Sequence, residues 1–123
     1  MTAEEIAELA AHPLVTVGAH TLSHAPLASL DPEAQYAEIA GSMRILSEIA
    51  GHPVTTVSYP HGLRGRDFDE ATVQAARGAG LDHALAAESG VVTARCDPMA
   101  LPRLWVHDKG GEALQRHLSR WIG

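Results

Sequence analysis

The sequence predicts an α/β fold built from parallel β/α units. Short apolar or β-branched runs alternate along the chain with segments whose apolar residues recur at helical spacing, the pattern of parallel strands joined by helices. Helix-start residues precede the helical segments, and glycines or prolines close them. The length, 123 residues, suits one domain over residues 1–123 with one core, but falls short of the ~250 residues typical of a complete β/α barrel.

Thr2-Ala3-Glu4-Glu5 fits a capping box, with Thr2 at the N-cap and Glu5 three residues into the helix. The helix that follows is expected to bury Ile6, Leu9 and Ala10, and His12-Pro13 ends it, because a residue before proline avoids the helical region. Leu14 to Ala19 reads as a buried strand. Asp31-Pro32-Glu33 starts a second helix, with Asp31 as cap and Pro32 in the first turn. Its apolar face carries Ile39, Met43, Leu46, Ile49 and Ala50, and Gly51 closes it. Val54 to Tyr59 is the next strand, broken by Pro60-His61-Gly62. Asp69 or a neighbour starts a third helix carrying Val73, Ala76 and Ala79, which Gly80 closes. Leu81 to Ala86 is a weaker strand, Glu88 to Pro102 is irregular, and Leu104-Trp105-Val106 is a short strand. Gly110-Gly111 leads into a last helix with Leu114, Leu118 and Trp121 on one face.

Composition narrows the function classes. Hydrophobic residues make up 46% and charged residues 20%, an ordinary globular balance. The net charge is −6, and the nine basic residues are scattered, which argues against a nucleic-acid surface. The single cysteine, Cys96, excludes an internal disulfide and a cysteine-rich zinc site; a neutral thiol is the simpler reading. No stretch approaches the ~20 apolar residues of a membrane span, and the acidic start lacks the order of a signal peptide. The expected location is cytoplasmic if Met1 is the true start, and the cell envelope or exterior if the start lies upstream.

Chemistry concentrates in two places. His20-Thr21-Leu22-Ser23-His24 puts two imidazoles four residues apart at the end of a strand, where α/β sheets carry their sites. Neutral imidazole is a good zinc ligand, so the pair reads either as two metal ligands or as solvated, capping histidines. The H-E-x-x-H protease pattern does not apply, because Thr21 stands at its acidic position. The second place is Ser58-Tyr59-Pro60-His61-Gly62, a sharp turn after a strand. It reads either as a backbone N–H aimed at an oxyanion or as a plain β-to-α turn.

Taken together, the two stretches resemble the polysaccharide deacetylase family, carbohydrate esterase family 4. Gly18 to Leu27 looks like that family's histidine motif with its flanks, and Ser58 to Gly62 like its Tyr-Pro-x-Gly turn. Gly80 to Ala86 and Leu101 to Leu104 look like its later strands. The resemblance implies a partial, incomplete distorted β/α barrel. It also implies a divalent metal, zinc above all, held by His20 and His24, with Thr21 bracing the loop between them. The residue after the proline, His61, would supply the oxyanion N–H. Arg103 would help hold the catalytic carboxylate, and His107 is the nearest match to the acid that protonates the leaving amine. His107 also reads as a surface histidine after a strand. His61 stands where an aromatic is more usual, and Ser58 where many members have arginine.

One element of the family pattern is absent. Its opening strand ends in Thr-Phe-Asp-Asp-Gly, which supplies the base and the third metal ligand, and no Asp-Asp pair occurs in this chain. The chain therefore looks like the C-terminal portion of a deacetylase. The implied reaction is metal-dependent hydrolysis of N-acetyl groups on an acetylated polysaccharide or amino sugar, impaired in this chain alone unless a carboxylate such as Asp67 or Asp108, or one from a neighbouring subunit, substitutes. A non-catalytic deacetylase-like binding or assembly module is the alternative. An acetylated glycan is the expected partner, with Tyr59 and Trp105 as candidate stacking faces or core residues, and Trp121 as packing. Open edges also predict self-association.

Overall fold

A computed structural model of the chain describes residues 1–104, 106 and 110–122. The fold is α/β, as the alternation predicts. Helix α1 spans Ala3–Ala10, α2 Pro32–Ala50, α3 Glu70–Gly78 and α4 Gly111–Ile122; strand β1 spans Thr56–Ser58 and β2 His83–Leu85. Single 3-10 turns lie at Leu27–Ser29 and Pro98–Ala100.

The caps form where the sequence places them. Thr2 and Glu5 make the reciprocal capping box of α1, the Asp31 carboxylate accepts the Ala34 N–H, and Asp69 accepts the Thr72 N–H. Gly51 closes α2 at φ 73, a left-handed conformation that costs glycine little. Helix α3 ends one residue earlier than expected, with Ala79 as its C-cap and Gly80 just beyond.

Strands β1 and β2 pair in parallel, Val57 opposite Ala84. Parallel bridges extend the layer on both sides, from Ala19 to Val57 and from Leu85 to Leu101. Four chain segments thus lie side by side in the order 19, 57, 84–85, 101, all running the same way. Helices α2 and α3 pack on this layer and on each other. Ile39, Val57, Tyr59, Phe68, Val73, Ala76, Ala84 and Ala86 are fully enclosed, with Met43, Val54, Leu81 and Met99 beside them. Gln35 links the two helices inside the core: its Nε2 donates to the Leu30 carbonyl, and its Oε1 accepts the Thr72 hydroxyl at 2.5 Å.

Three expectations need correction. Leu14 to Ala19 is not a buried strand: only Ala19 is bridged, and Leu14 is 89% exposed. This segment has a partner on the β1 side and none on its other edge among the described residues, so Leu14 and Val15 stay exposed while Val17 and Ala19 pack against the core. In α1 only Ala10 is buried, and Leu9 is 44% exposed for the same reason. Leu104 and Val106 lie outside any strand, because Leu101 makes the pairing in that stretch, donating to Ala84 O and accepting from Ala86 N. Trp105, His107 and Asp108, and the side chain of Trp121, lie outside the described residues.

Candidate functional site

The histidine loop leaves the sheet at Ala19. Both backbone groups of that residue are tied to β1, the N–H donating to Thr56 O at 2.8 Å and the carbonyl accepting from Ser58 N at 2.9 Å. His20 follows at once, and its Nδ1 lies 2.7 Å from the Ser58 carbonyl and 2.8 Å from the Ser58 hydroxyl. A carbonyl can only accept, so in neutral His20 the proton sits on Nδ1 and the lone pair on Nε2. This is how metal-binding histidines are commonly oriented, with one ring nitrogen anchored and the other left to ligate.

The loop between the histidines is strained and tightly held. Thr21 and His24 have φ of 64° and 62°, values that side-chain-bearing residues rarely adopt; a β-branched threonine there is an outlier. Each such residue costs on the order of 1–3 kcal/mol and persists only when surrounding contacts enforce it. The contacts are specific. Thr21 Oγ1 accepts the His24 N–H at 3.2 Å, the bracing role expected of Thr21. Glu38 on α2 accepts the Leu22 and Ser23 N–H groups, both on Oε2 at 2.8 Å. Burial raises the Glu38 carboxyl, but the hydrogen bonds from Ser23 and Leu22 outweigh it and hold the group below its ordinary value. The result brings the exposed rings of His20 and His24 edge to face, with centroids 4.8 Å apart.

The second element is the turn after β1. Tyr59 donates its N–H to Leu85 O and its hydroxyl to Met99 O, and its ring stacks on Phe68 at 4.5 Å. Enclosure pushes the phenol far up its scale, with Asp97 adding to the effect. Tyr59 is therefore core, which settles against it as a sugar-stacking face. Gly62 N–H reaches back to Pro60 O at 2.6 Å, closing a three-residue turn on His61, whose φ is 58°. Gly62 itself sits at φ 75°, where an added Cβ would lie 2.7 Å from the Ala87 nitrogen. The His61 N–H meets no acceptor among the described residues, and its ring packs edge to face on His24 at 5.0 Å. The turn thus adjoins the histidine pair with a backbone donor free.

Other candidates lie elsewhere. Arg103 is exposed, and its Nε donates to Ala86 O at 2.7 Å. Asp67 is buried and its oxygens are engaged: both accept from the Arg66 guanidinium at 2.9 Å, and Oδ2 also accepts the Leu63 N–H at 3.0 Å. Those bonds leave it poorly placed to substitute as a ligand. Cys96 closes a local turn on Thr93.

Imidazole chemistry and the anchored Nδ1 of His20 fit two positions of a divalent-metal ligand set. Among the described residues no group of three or more His, Cys, Asp or Glu side chains gathers to hold an ion, so this part of the chain does not complete the set. Sequence reasoning missed two residues that shape the pair. Glu38 lies 14 residues past His24 on a helix and carries no local signature of its role. Ser58 showed only as a departure from arginine, because a contact across 38 positions leaves no spacing to read.

Comparison with known proteins bears on the family and the fold. The family description "Polysaccharide deacetylase" matches residues 1–84. YxkH of Bacillus subtilis (strain 168) is 29% identical over 106 residues, which cover 86% of this chain and 36% of that protein. The crystal structure of BC0361, a polysaccharide deacetylase from Bacillus cereus, superposes with a TM-score of 0.81 at 22% identity, covering 97% of this chain and 36% of that one. Streptococcus pyogenes deacetylase PplD, in complex with acetate, gives a TM-score of 0.72 at 21% identity over 79% of this chain and 42% of that one. The chain thus spans little more than a third of the curated relative it matches. With the family pattern covering more than half of its residues, the chain belongs to the polysaccharide deacetylase family.

Proposed function

We propose that this chain forms part of a β/α barrel and contributes two metal ligands and an oxyanion-holding turn to the removal of N-acetyl groups from an acetylated polysaccharide or amino sugar. One observation carries the proposal: the His20 and His24 ring centroids lie 4.8 Å apart, with the His20 proton committed to Ser58 O and the Nε2 lone pair left to ligate. Two imidazoles match zinc well among divalent ions. A bound ion there would polarise the acetyl carbonyl and acidify a water. The His61 N–H would donate to the oxygen that gains charge on attack, in a turn restricted by Pro60 and closed by the Gly62 N–H on Pro60 O. His107, outside the described residues, is the proposed acid for the leaving amine. Arg103 is proposed to act on the site's carboxylate through its remaining guanidinium nitrogens, its Nε being held by Ala86 O. The products would be acetate and a free amine.

A second reading, a non-catalytic binding module, draws on the incomplete donor set among the described residues. With two ligands and no assigned base, the chain alone is expected to bind zinc weakly and to release little acetate. The exposed edge near Leu14 and Val15 extends the proposal to self-association of the isolated chain.

A calorimetric zinc titration of the chain and of His24→Ala tests the metal reading. Weak binding that disappears in the variant is the expected outcome. Binding unaffected by His24→Ala would overturn it, and retention of acetylated glycan without acetate release from a zinc-loaded complex with a full barrel would favour the module.

A further inference from the structure

We propose that Glu38 is a positioning residue for the histidine pair, and that α2, rather than the strand alone, sets the geometry of the two imidazoles. The inference rests on the metal reading above for its consequence, and on the loop geometry for its substance. Between His20 and His24 the chain turns through two residues with positive φ, Thr21 and His24. Left to itself, such a loop relaxes to ordinary backbone angles and swings the second ring away from the first. Two features of α2 prevent this. Glu38 takes both N–H groups at the loop's tip, Leu22 and Ser23, on one carboxylate oxygen at 2.8 Å each. One turn further along, Gly41 leaves room for the Leu22 side chain; a Cβ there would stand 2.7 Å from Leu22 Cδ1. The carboxylate grips the tip's backbone while the glycine lets the half-exposed Leu22 side chain lie against the helix, and α2 is itself locked to the core through Ile39 and Gln35. Two adjacent N–H groups pointing at one anion also form the kind of backbone nest that binds negative charge.

Because both donors meet the same oxygen, a glutamine carbonyl can replace it and an alanine cannot. The test compares the 123-residue chain with Glu38→Gln and Glu38→Ala, after circular dichroism confirms that each variant folds. Three quantities are read by NMR: amide exchange at Leu22 and Ser23, the ring-to-ring NOE between His20 and His24, and zinc affinity by titration. Glu38→Ala is expected to lose the amide protection and the NOE, and to weaken zinc binding roughly 10-fold or more, the usual effect of removing a partner that orients a ligand. Glu38→Gln is expected to restore most of all three. Retention of the amide protection and the NOE in Glu38→Ala would overturn the proposal, as would their loss with zinc affinity unchanged from that of a wild-type chain that binds the metal. If the wild-type chain binds no zinc while Glu38→Ala still loses the NOE, the metal reading fails and the positioning role stands.

Discussion

Substituting Gly62 by alanine probes the turn that holds the free His61 N–H. Gly62 has φ 75°, and forcing a side chain into that region costs ~1–2 kcal/mol. The new Cβ would also stand 2.7 Å from Ala87 N, 2.9 Å from Ala87 Cβ and 3.2 Å from Tyr59 O. Comfortable separations are about 3.5 Å or more, so something must move by roughly 0.8 Å. Neither neighbour is free to move. Ala87 N donates to Gly62 O at 2.8 Å, and the Tyr59 N–H and hydroxyl are tied to Leu85 O and Met99 O. Overpacking against fixed backbone costs about 1–3 kcal/mol, and the reduced freedom of the unfolded chain returns about 0.5 kcal/mol. The net expectation is a loss of ~1.5–4.5 kcal/mol, or about 6–18 °C in melting temperature for a domain of this size. Urea unfolding followed by circular dichroism measures it. Gly51→Ala is the internal control: Gly51 has φ 73° but nothing within 4 Å, so it carries the backbone cost without the clash. If Gly62→Ala matched Gly51→Ala within about 0.5 kcal/mol, the resolution of paired denaturation curves, the close approach of the turn to Ala87 would not exist in solution and the reasoning would fail.

Acid should weaken the fold through Asp67. Its carboxyl is held below the ordinary value, first by the Arg66 hydrogen bonds; burial opposes this, and the Leu63 N–H and the charges of Arg66 and His61 assist. A depressed folded value means that the stabilisation is complete above the unfolded value of about 4 and drains away as pH falls through the folded one. Urea midpoints measured from neutral pH to pH 2 should therefore fall on the acid side in the wild type, and Asp67→Asn should start lower with a flatter acid limb; parallel curves would refute the assignment. The exposed Leu14–Val15 edge predicts concentration-dependent association in sedimentation velocity, relieved by Leu14→Lys; a monodisperse monomer at all concentrations would count against it.

Local chemistry determined what the sequence revealed by itself. Thr2, Asp31 and Asp69 cap the helices they were expected to cap, because a cap is a contact between residues three apart. Gly51 and the Pro60-His61-Gly62 turn were legible for the same reason: their signals are backbone rules confined to a few positions. The histidine spacing and the turn together were enough to identify the family. Tertiary structure decided what depends on contacts across long separations. The buried strand expected at 14–19 leaves Leu14 and Val15 exposed and only its end, Val17 and Ala19, against the core, because burial is conferred by neighbouring strands and not by apolar sequence. Tyr59 became core once its ring met Phe68 and its hydroxyl met Met99 O. The tautomer of His20 depends on Ser58, 38 residues away, and the grip on the histidine loop depends on Glu38 from a different element. A sequence states which groups are able to ligate. The positions that make them a pair are set by partners that only folding brings within hydrogen-bond range, because such bonds act over about 3 Å and carry no trace of sequence distance.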